Sequence, residues 1–330
     1  MKKSVTVVCI REVGSPLDVV RVEQWDLPGF QPHQVVVEMK AAPINPADIN
    51  VLEGKYIVRP TLPAVIGNEG VGIVAECGSA VTNLKPGQHV IAPARLGSWC
   101  EAYVADANEL IPVPSDIPIE QAAMLAVNPP TAWRMLHDIV SLKPGDWVIQ
   151  NAANSAVGRF VIQIARAKGW RTVNVVRRKE LIDELKAEGA DVVITDEQPF
   201  AKQVREWTGG AEILLGLNAV GGESAREVSK SLSAHGTLVT YGAMSRQPIQ
   251  IDNGSLIFKD IRFRGFLITE WYRRVSYEQK AEMIGEIASL MKQSKLKAPI
   301  EKTYRLEEAK EAVRHASQGM RSGKILFVMG

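Results

Sequence analysis

From about residue 125 onward, short apolar runs alternate with longer helical periods, an order that few folds accommodate. The runs are Trp147 to Gln150, Thr172 to Val176, Val192 to Thr195, Ile213 to Asn218 and Thr237 to Tyr241. Such runs, set apart by helices, give the pattern of a doubly wound parallel sheet. Upstream the texture differs. Residues 1 to about 124 carry short alternating runs, such as Val35-Val36-Val37-Glu38-Met39 and Gly72-Ile73-Val74-Ala75-Glu76, separated by turns such as Lys85-Pro86-Gly87. That is the pattern of a twisted, barrel-like β domain. The expected class is therefore α/β, with a β-barrel-like domain over 1–124, a Rossmann-type sheet over 125–266 and a C-terminal segment over 267–330. The last segment holds amphipathic periods around Tyr277 to Lys292 and Leu306 to Gln318, then a strand from Ile325 to Met329. It is expected to fold back on the first domain.

Length supports two domains, because 330 residues is about twice the usual single-domain size. Ligands commonly bind in the cleft that two domains share. With 46% hydrophobic and 23% charged residues, the chain is able to bury a sizeable core. The net charge of +2 is spread along the chain, without the basic stripe that nucleic-acid binding requires. No apolar run approaches the roughly 20 residues of a membrane span. Met1-Lys2-Lys3 leads directly into the strand-like Val5-Thr6-Val7-Val8, which suggests a cytosolic protein or one whose transit peptide has been removed. The three cysteines, Cys9, Cys77 and Cys100, form no CxxC pair and read as small buried hydrophobes.

The strand Trp147 to Gln150 runs into Asn151-Ala152-Ala153-Asn154-Ser155-Ala156-Val157-Gly158, after which Val157, Phe160, Val161, Ile164 and Ala165 fall on one helical face. A small-residue turn between strand and helix lets backbone N–H groups approach a pyrophosphate at the positive helix end. Of the GxGxxG template only Gly158 remains, Ala153 and Ser155 standing for the first two glycines. Taken alone, the turn also fits a tight strand-to-helix connection with no ligand. The next strand sharpens the reading, since Val175-Val176 is followed by Arg177-Arg178-Lys179 and not by the acidic residue that receives NAD ribose hydroxyls. Elsewhere such a run would be a solvated charge cluster. Here it favours the additional 2′-phosphate of NADPH.

The segment Gly67-Asn68-Glu69-Gly70-Val71-Gly72 resembles the GHExxG signature of zinc alcohol dehydrogenases, with Asn68 in place of the zinc-binding His. No Cys stands between Ala42 and Asn50, where those enzymes place a zinc ligand, and His33, His89, His137, His235 and His315 share no metal-type spacing. A catalytic zinc needs three such ligands, so no metal is expected.

Several segments together resemble the mitochondrial-type trans-2-enoyl-CoA (or acyl-carrier-protein) reductases, zinc-free members of the medium-chain dehydrogenase/reductase superfamily with a GroES-like catalytic domain. They are Ile44-Asn45-Pro46-Ala47-Asp48-Ile49-Asn50, Gly54-Lys55-Tyr56, Leu62-Pro63-Ala64-Val65 and Gly67-Asn68-Glu69-Gly70, joined by Val127-Asn128-Pro129, Tyr241-Gly242-Ala243-Met244 and Phe258-Lys259-Asp260. The resemblance runs from about residue 12 to 328. It implies that Tyr56 hydrogen-bonds a thioester carbonyl and helps protonate the substrate. It also implies that Asn128, Asn154, Ser155, Ala156, Val157, Gly158, Arg177, Arg178, Lys179, Tyr241, Gly242, Ala243, Met244, Phe266, Leu267, Ile268 and Lys324 line NADPH. Asn45 would face the substrate, and Trp271 and Phe266 would each either wall the acyl pocket or pack in the core. Ala156 and Ala243 stand where members often carry Gly, and Leu267 where some carry Trp.

By the same resemblance the partners are an enoyl-CoA or enoyl-acyl carrier protein substrate and a second copy of the chain, paired through edge material around Leu256-Ile257-Phe258 and Ile261-Arg262-Phe263. The location would be cytoplasmic in a bacterium, or the mitochondrial matrix for a processed eukaryotic form. Two other functions remain open: an NADPH quinone or enone reductase, and an NADPH-binding protein without turnover, which would not need Tyr56.

Overall fold

The computed structural model describes residues 4–57, 59–93, 97–319 and 321–330, so Met1-Lys2-Lys3 lies outside the described residues. The chain forms two compact units, one of residues 1–130 with 269–330 and one of residues 131–268. The division falls a few residues beyond the boundaries at 124 and 266 that the sequence texture marks.

The first unit is built from β1 (Ser4–Ile10), β2 (Arg21–Asp26), β3 (Gln34–Pro43), β4 (Ala64–Val65), β5 (Val71–Cys77), β6 (His89–Ile91), β7 (Ala102–Asp106) and β8 (Ile111–Pro112). Strands β2, β1 and β4 make a small antiparallel sheet, and β3 lies at the centre of a larger one, between β5 and the C-terminal strand, with β7 also paired to it. Inward residues of β1 and β3, among them Val5, Val7, Val35, Val37 and Met39, bury one common core around Trp99, whose ring meets Phe327 edge-on at 5.1 Å. Helix α1 (Pro46–Leu52) follows β3 directly. Its start is fixed by Pro46 in the first turn and by the Asp48 carboxylate, which accepts from the Asn45 backbone N–H at 2.7 Å.

The second unit carries β9 (Trp147–Gln150), β10 (Arg171–Val176), β11 (Val192–Thr195), β12 (Ile213–Asn218), β13 (Thr237–Thr240) and β14 (Arg262–Gly265). All pair in parallel, in the order β11-β10-β9-β12-β13-β14. The order reverses between β9 and β12, and the loops at the carboxyl ends of those strands are where such sheets bind nucleotides. Helix α2 (Ala156–Lys168) follows β9, and α3 (Leu181–Glu188) follows β10.

The chain then re-enters the first unit through α4 (Ile268–Arg274) and α5 (Tyr277–Lys292). Strands β15 (Ile300–Tyr304) and β16 (Lys324–Val328) close the larger sheet, β16 running antiparallel to β3 with Leu326 opposite Pro43. The period around Leu306 to Gln318 divides into a 3-10 turn, Leu306–Glu308, and a helix, Ala309–Ser317. The last strand begins at Lys324, one position ahead of the apolar run, because that lysine is itself buried.

Candidate active site

Each unit concentrates one set of chemistry. In the second unit, the turn after β9 is built to bring backbone close to a ligand. Ser155 caps α2, its hydroxyl accepting from the Gly158 N–H at 3.1 Å. A Cβ on Gly158 would sit 2.5 Å from the Ala153 carbonyl oxygen and 2.7 Å from its Cα. Only glycine fits there, which explains why this position of the template survives. Ala152, by contrast, holds a left-handed φ of 50°. Beneath the turn Gln150 donates to the Gly158 carbonyl at 2.9 Å and to Asn174 of β10 at 2.8 Å, tying the turn to the sheet.

Arg177, Arg178 and Lys179 leave the end of β10 as expected. Arg177 and Lys179 are exposed, and the Lys179 ammonium makes a long contact with Glu197 at 3.8 Å. Arg178 is the informative member: its Nη2 is withdrawn from solvent and has no hydrogen-bond partner among the described residues. A buried guanidinium nitrogen without an acceptor is costly and calls for an anion. The orphaned Arg178 nitrogen at the end of β10 fits the 2′-phosphate of a dinucleotide, while Gly158 lets α2 pack closely against the turn that would meet its pyrophosphate.

Asn154, Ser155, Ala156 and Val157 are all partly exposed on this turn. Tyr241 and Gly242 are half-buried at the end of β13, followed by the exposed Ala243 and Met244. The Tyr241 hydroxyl is itself out of solvent, and burial pushes its pKa well up, opposed by the Ser155 side chain. Phe266 is half-buried after β14, Leu267 is exposed, and Ile268 is buried.

The first unit holds a buried polar cluster. Asn45, Asp48, Glu69, Asn128 and Lys324 are all buried, and Asn68 is half-buried beside them. The Asn45 amide nitrogen donates to Glu69 Oε1 at 2.8 Å, and its Oδ1 accepts from Lys324 Nζ at 2.6 Å and from Asn128 Nδ2 at 3.2 Å. Asn128 also donates to Glu69 Oε1 at 2.9 Å, while Asp48 accepts from the Asn45 backbone at 2.7 Å and from Asn68 Nδ2 at 2.5 Å. Gly67 admits this arrangement through its φ of 107°, and a Cβ there would lie 2.3 Å from Ser98 Oγ.

Burial pushes Asp48 up to about 6, against the pull of the Asn45 N–H and Lys324. The same desolvation drives Glu69 well above the ordinary carboxylate range, despite Lys324 and Asn45. It pulls Lys324 down, opposed by the two acids. Glu69 Oε2 is buried without a side-chain partner among the described residues, and the Val127 backbone pulls the carboxyl the other way, though less than burial does.

Tyr56 follows α1, its backbone N–H and that of Lys55 both donating to the Asn50 carbonyl at 3.1 and 2.8 Å. Its half-buried ring packs on the core, and its hydroxyl makes no hydrogen bond among the described residues. Burial first, and the Asp48 charge second, push the phenol above its ordinary value, with Arg273 opposing. The group keeps its proton and can donate it. Trp271, on α4, is half-buried and meets Tyr272 edge-on at 5.6 Å.

The structure thus joins Asn128 and Lys324, both expected to line the cofactor, through Asn45, which was expected to face substrate. The three side-chain hydrogen bonds of Asn45 all lie inside the cluster, and the residue is 4% exposed. Asp48 and Glu69 were quoted only as parts of segments. Two acids in an otherwise apolar stretch were the available signal. Among the described residues no group of three His, Cys, Asp or Glu is placed to hold a metal ion, and Asn68 is engaged with Asp48.

Residues 31–115 match the family described as alcohol dehydrogenase GroES-like domain, and residues 156–288 the one described as zinc-binding dehydrogenase. The mitochondrial enoyl-[acyl-carrier-protein] reductase of Xenopus tropicalis is 42% identical over 325 residues, covering 96% of this chain and 93% of that protein. The human protein of the same name is 44% identical over 322 residues, covering 96% and 86%. Among solved structures, an Etr1p complex with NADP and crotonyl-CoA superposes with a TM-score of 0.89 at 29% identity, over 98% of this chain and 99% of that one. A Bacillus thuringiensis protein assigned as an NADPH:quinone reductase superposes with a TM-score of 0.92 at 27% identity, over 99% of each chain. Near-complete coverage at this identity shows that the chain belongs to the mitochondrial-type enoyl-[acyl-carrier-protein] reductase family, within the medium-chain dehydrogenase/reductase superfamily.

Proposed function

We infer that the chain is an NADPH-dependent oxidoreductase acting on CH–CH bonds, reducing trans-2-enoyl thioesters to acyl thioesters. The curated relatives carry that activity in their names, and the Etr1p structure holds NADP and crotonyl-CoA. When bound, NADPH supplies the hydride that the β-carbon of the substrate accepts. The cradle at Asn154, Ser155, Ala156, Val157 and Gly158 would hold its pyrophosphate, and Arg177, Arg178 and Lys179 its 2′-phosphate. Tyr241, Gly242, Ala243, Met244, Phe266, Leu267, Ile268, Asn128 and Lys324 complete the proposed cofactor set.

The observation that carries the catalytic assignment is the Tyr56 hydroxyl, protonated and free of partners among the described residues. Negative charge grows on the thioester carbonyl oxygen as the β-carbon is reduced, and a positioned donor stabilises it. Tyr56 supplies that donor and then delivers a proton to the α-carbon, directly or through a water it orders. Trp271 borders the acyl group. Asn45 acts at one remove, by orienting Asn128 and Lys324.

Crotonyl-CoA-dependent oxidation of NADPH tests the reading; turnover of a 1,4-quinone with none of crotonyl-CoA would replace it. The quinone reading is favoured by the Bacillus thuringiensis neighbour. We further propose that both CoA and acyl carrier protein thioesters are accepted, which parallel assays with each carrier test. The chain would work in the mitochondrial matrix of a eukaryote or the cytoplasm of a bacterium, as cell fractionation would establish. A homodimer is proposed through the outer edge of β14, next to Ile257 and Phe258, 71% and 84% exposed. Light scattering that returned the 36.2 kDa monomer at micromolar concentration would refute it.

A further inference from the structure

Arg159 lies in the first turn of α2 and is 1% exposed, the most enclosed charged side chain of the second unit apart from Glu227. Its guanidinium is used in three directions. Nε donates to the Asn154 carbonyl at 3.2 Å, Nη2 to Glu184 Oε1 at 2.6 Å, and Nη1 to Glu188 Oε1. Gln163, one helical turn further on, donates to the other Glu188 oxygen at 3.3 Å. Asn154 belongs to the nucleotide turn. Glu184 and Glu188 stand one turn apart on α3, the helix that grows out of the Arg177-Arg178-Lys179 loop.

That continuity is direct, because the first N–H groups of α3 bond back to the loop: Leu181 to the Arg178 carbonyl at 3.3 Å, and Ile182 to the Lys179 carbonyl at 3.0 Å. Wherever α3 lies, those two carbonyls and the side chains beside them lie with it. Two carboxylates at i and i+4 repel one another and would leave a doubly negative face on α3. Arg159 neutralises that pair and binds the helix to α2. No other cation pairs with Glu184 or Glu188 among the described residues.

We propose that Arg159 is a positioning residue for cofactor choice: it clamps the pyrophosphate turn to α3 and so sets where Arg178 presents its unpartnered nitrogen to a 2′-phosphate. The proposal rests on the reading of Arg177, Arg178 and Lys179 as the 2′-phosphate site. Arg159 does not touch the cofactor. It fixes the spacing between the two anion-binding parts, and a group binding two phosphates at once is sensitive to that spacing. NADH, which lacks the 2′-phosphate, depends on only one of the parts.

Equilibrium binding of NADPH, NADH and 2′,5′-ADP to the full chain tests the proposal, with wild type, Arg159→Leu, Arg178→Ala and the double variant Glu184→Gln/Glu188→Gln. In Arg159→Leu the affinity for NADPH and for 2′,5′-ADP should fall about tenfold or more, that for NADH less than about threefold, and turnover at saturating NADPH should hold. The double variant keeps Arg159 and frees α3, so it should lower the NADPH-to-NADH affinity ratio in the same sense. It decides the matter alone if Arg159→Leu does not fold. An unchanged ratio in the double variant, or equal losses for both cofactors in Arg159→Leu, overturns the proposal. If Arg178→Ala also leaves the ratio unchanged, the 2′-phosphate assignment itself has failed; if Arg178→Ala collapses it, only the clamp has.

Discussion

The two anion-handling regions of this molecule solve opposite problems. In the second unit, the turn after β9 keeps small residues, an open surface and a guanidinium nitrogen with nothing to bind. In the first unit, Asn45, Asp48, Glu69, Asn128 and Lys324 are buried and bonded mainly to each other. One region is incomplete until a ligand arrives; the other is nearly complete without one. Polar groups left unpaired near the surface mark a binding site, whereas polar groups paired in the interior hold backbone and neighbouring side chains in one arrangement. Tyr56 belongs to the first kind although it sits in the unit of the second, and it feels the cluster through the charge of Asp48.

The largest expected effect is at Tyr56. Replacement by Phe keeps the ring packed on the core and removes only the hydroxyl. Turnover on crotonyl-CoA should fall by roughly 10² to 10³, the range for losing one oxyanion donor or positioned acid. NADPH affinity should stay within about twofold, because Tyr56 lies in the other unit from the phosphate contacts. Near-wild-type turnover would place the proton donor elsewhere.

Next comes the open site itself. Each charge-assisted contact is worth roughly 1.5 to 3 kcal/mol, or about 10- to 150-fold in affinity. Arg178→Ala should therefore reduce NADPH binding by about that factor and leave NADH nearly unchanged. Comparable efficiency of wild type with both cofactors would break the contrast between the regions from its other side.

Much of this contrast was legible in the sequence, though unevenly. Strands β9, β11 and β12 stand where their apolar runs begin and end, because a strand buried on both faces needs an unbroken run. The sixth strand, Arg262–Gly265, was visible only as edge material, since its burial is partial and its alternation with arginine imitates a loop. At the site, the basic run was legible from its place at the end of a strand where an acidic residue usually stands, whereas Tyr56 stood out only because its segment resembles a family. Asp48, Glu69 and Arg159 were not, because what distinguishes them is burial and three-dimensional partners. The bonds that tie Asn45 to Glu69, Asn128 and Lys324 were hidden for the same reason.

The interior cluster should respond to chemistry that leaves the open site untouched. Glu69→Ala strips the shared acceptor from the Asn45 and Asn128 amides, and each buried donor left unpaired costs about 1 to 3 kcal/mol. Glu69→Gln retains a neutral acceptor of the same shape. If Glu69 keeps its proton in the folded protein, urea unfolding at pH 7 should find the Gln variant within about 1 kcal/mol of wild type and the Ala variant clearly weaker. A Gln variant as unstable as Ala would mean that the ionised form is what the cluster binds.

The smallest effect, and the most particular to the buried region, is a pH dependence of stability from Asp48. Its carboxyl is pushed up to about 6 in the folded protein from an ordinary 3.8, chiefly by burial. A folded state that holds a proton more tightly than the unfolded chain is favoured at low pH and loses that advantage as pH rises through the folded value. The contribution is therefore fully present below about pH 4 and is lost between about pH 4 and 6. Lys324, pulled down in the fold, is protonated in both states across that window and does not oppose the trend. Other carboxylates do, because Glu23 and Glu301 are pulled down in the fold and gain stability as pH rises. The Asp48 signal is hence a difference between two curves. Unfolding free energies of wild type and Asp48→Asn are to be measured at half-unit steps from about pH 4 to 7, the range that brackets the shift. The substitution removes an acceptor for the Asn45 N–H or for Asn68, so the variant should start below wild type at the acid end. As pH rises, wild type should lose ground and the gap should narrow. Parallel curves over that range would show that Asp48 titrates at its ordinary value, and that the interior cluster binds its acid as readily as water does.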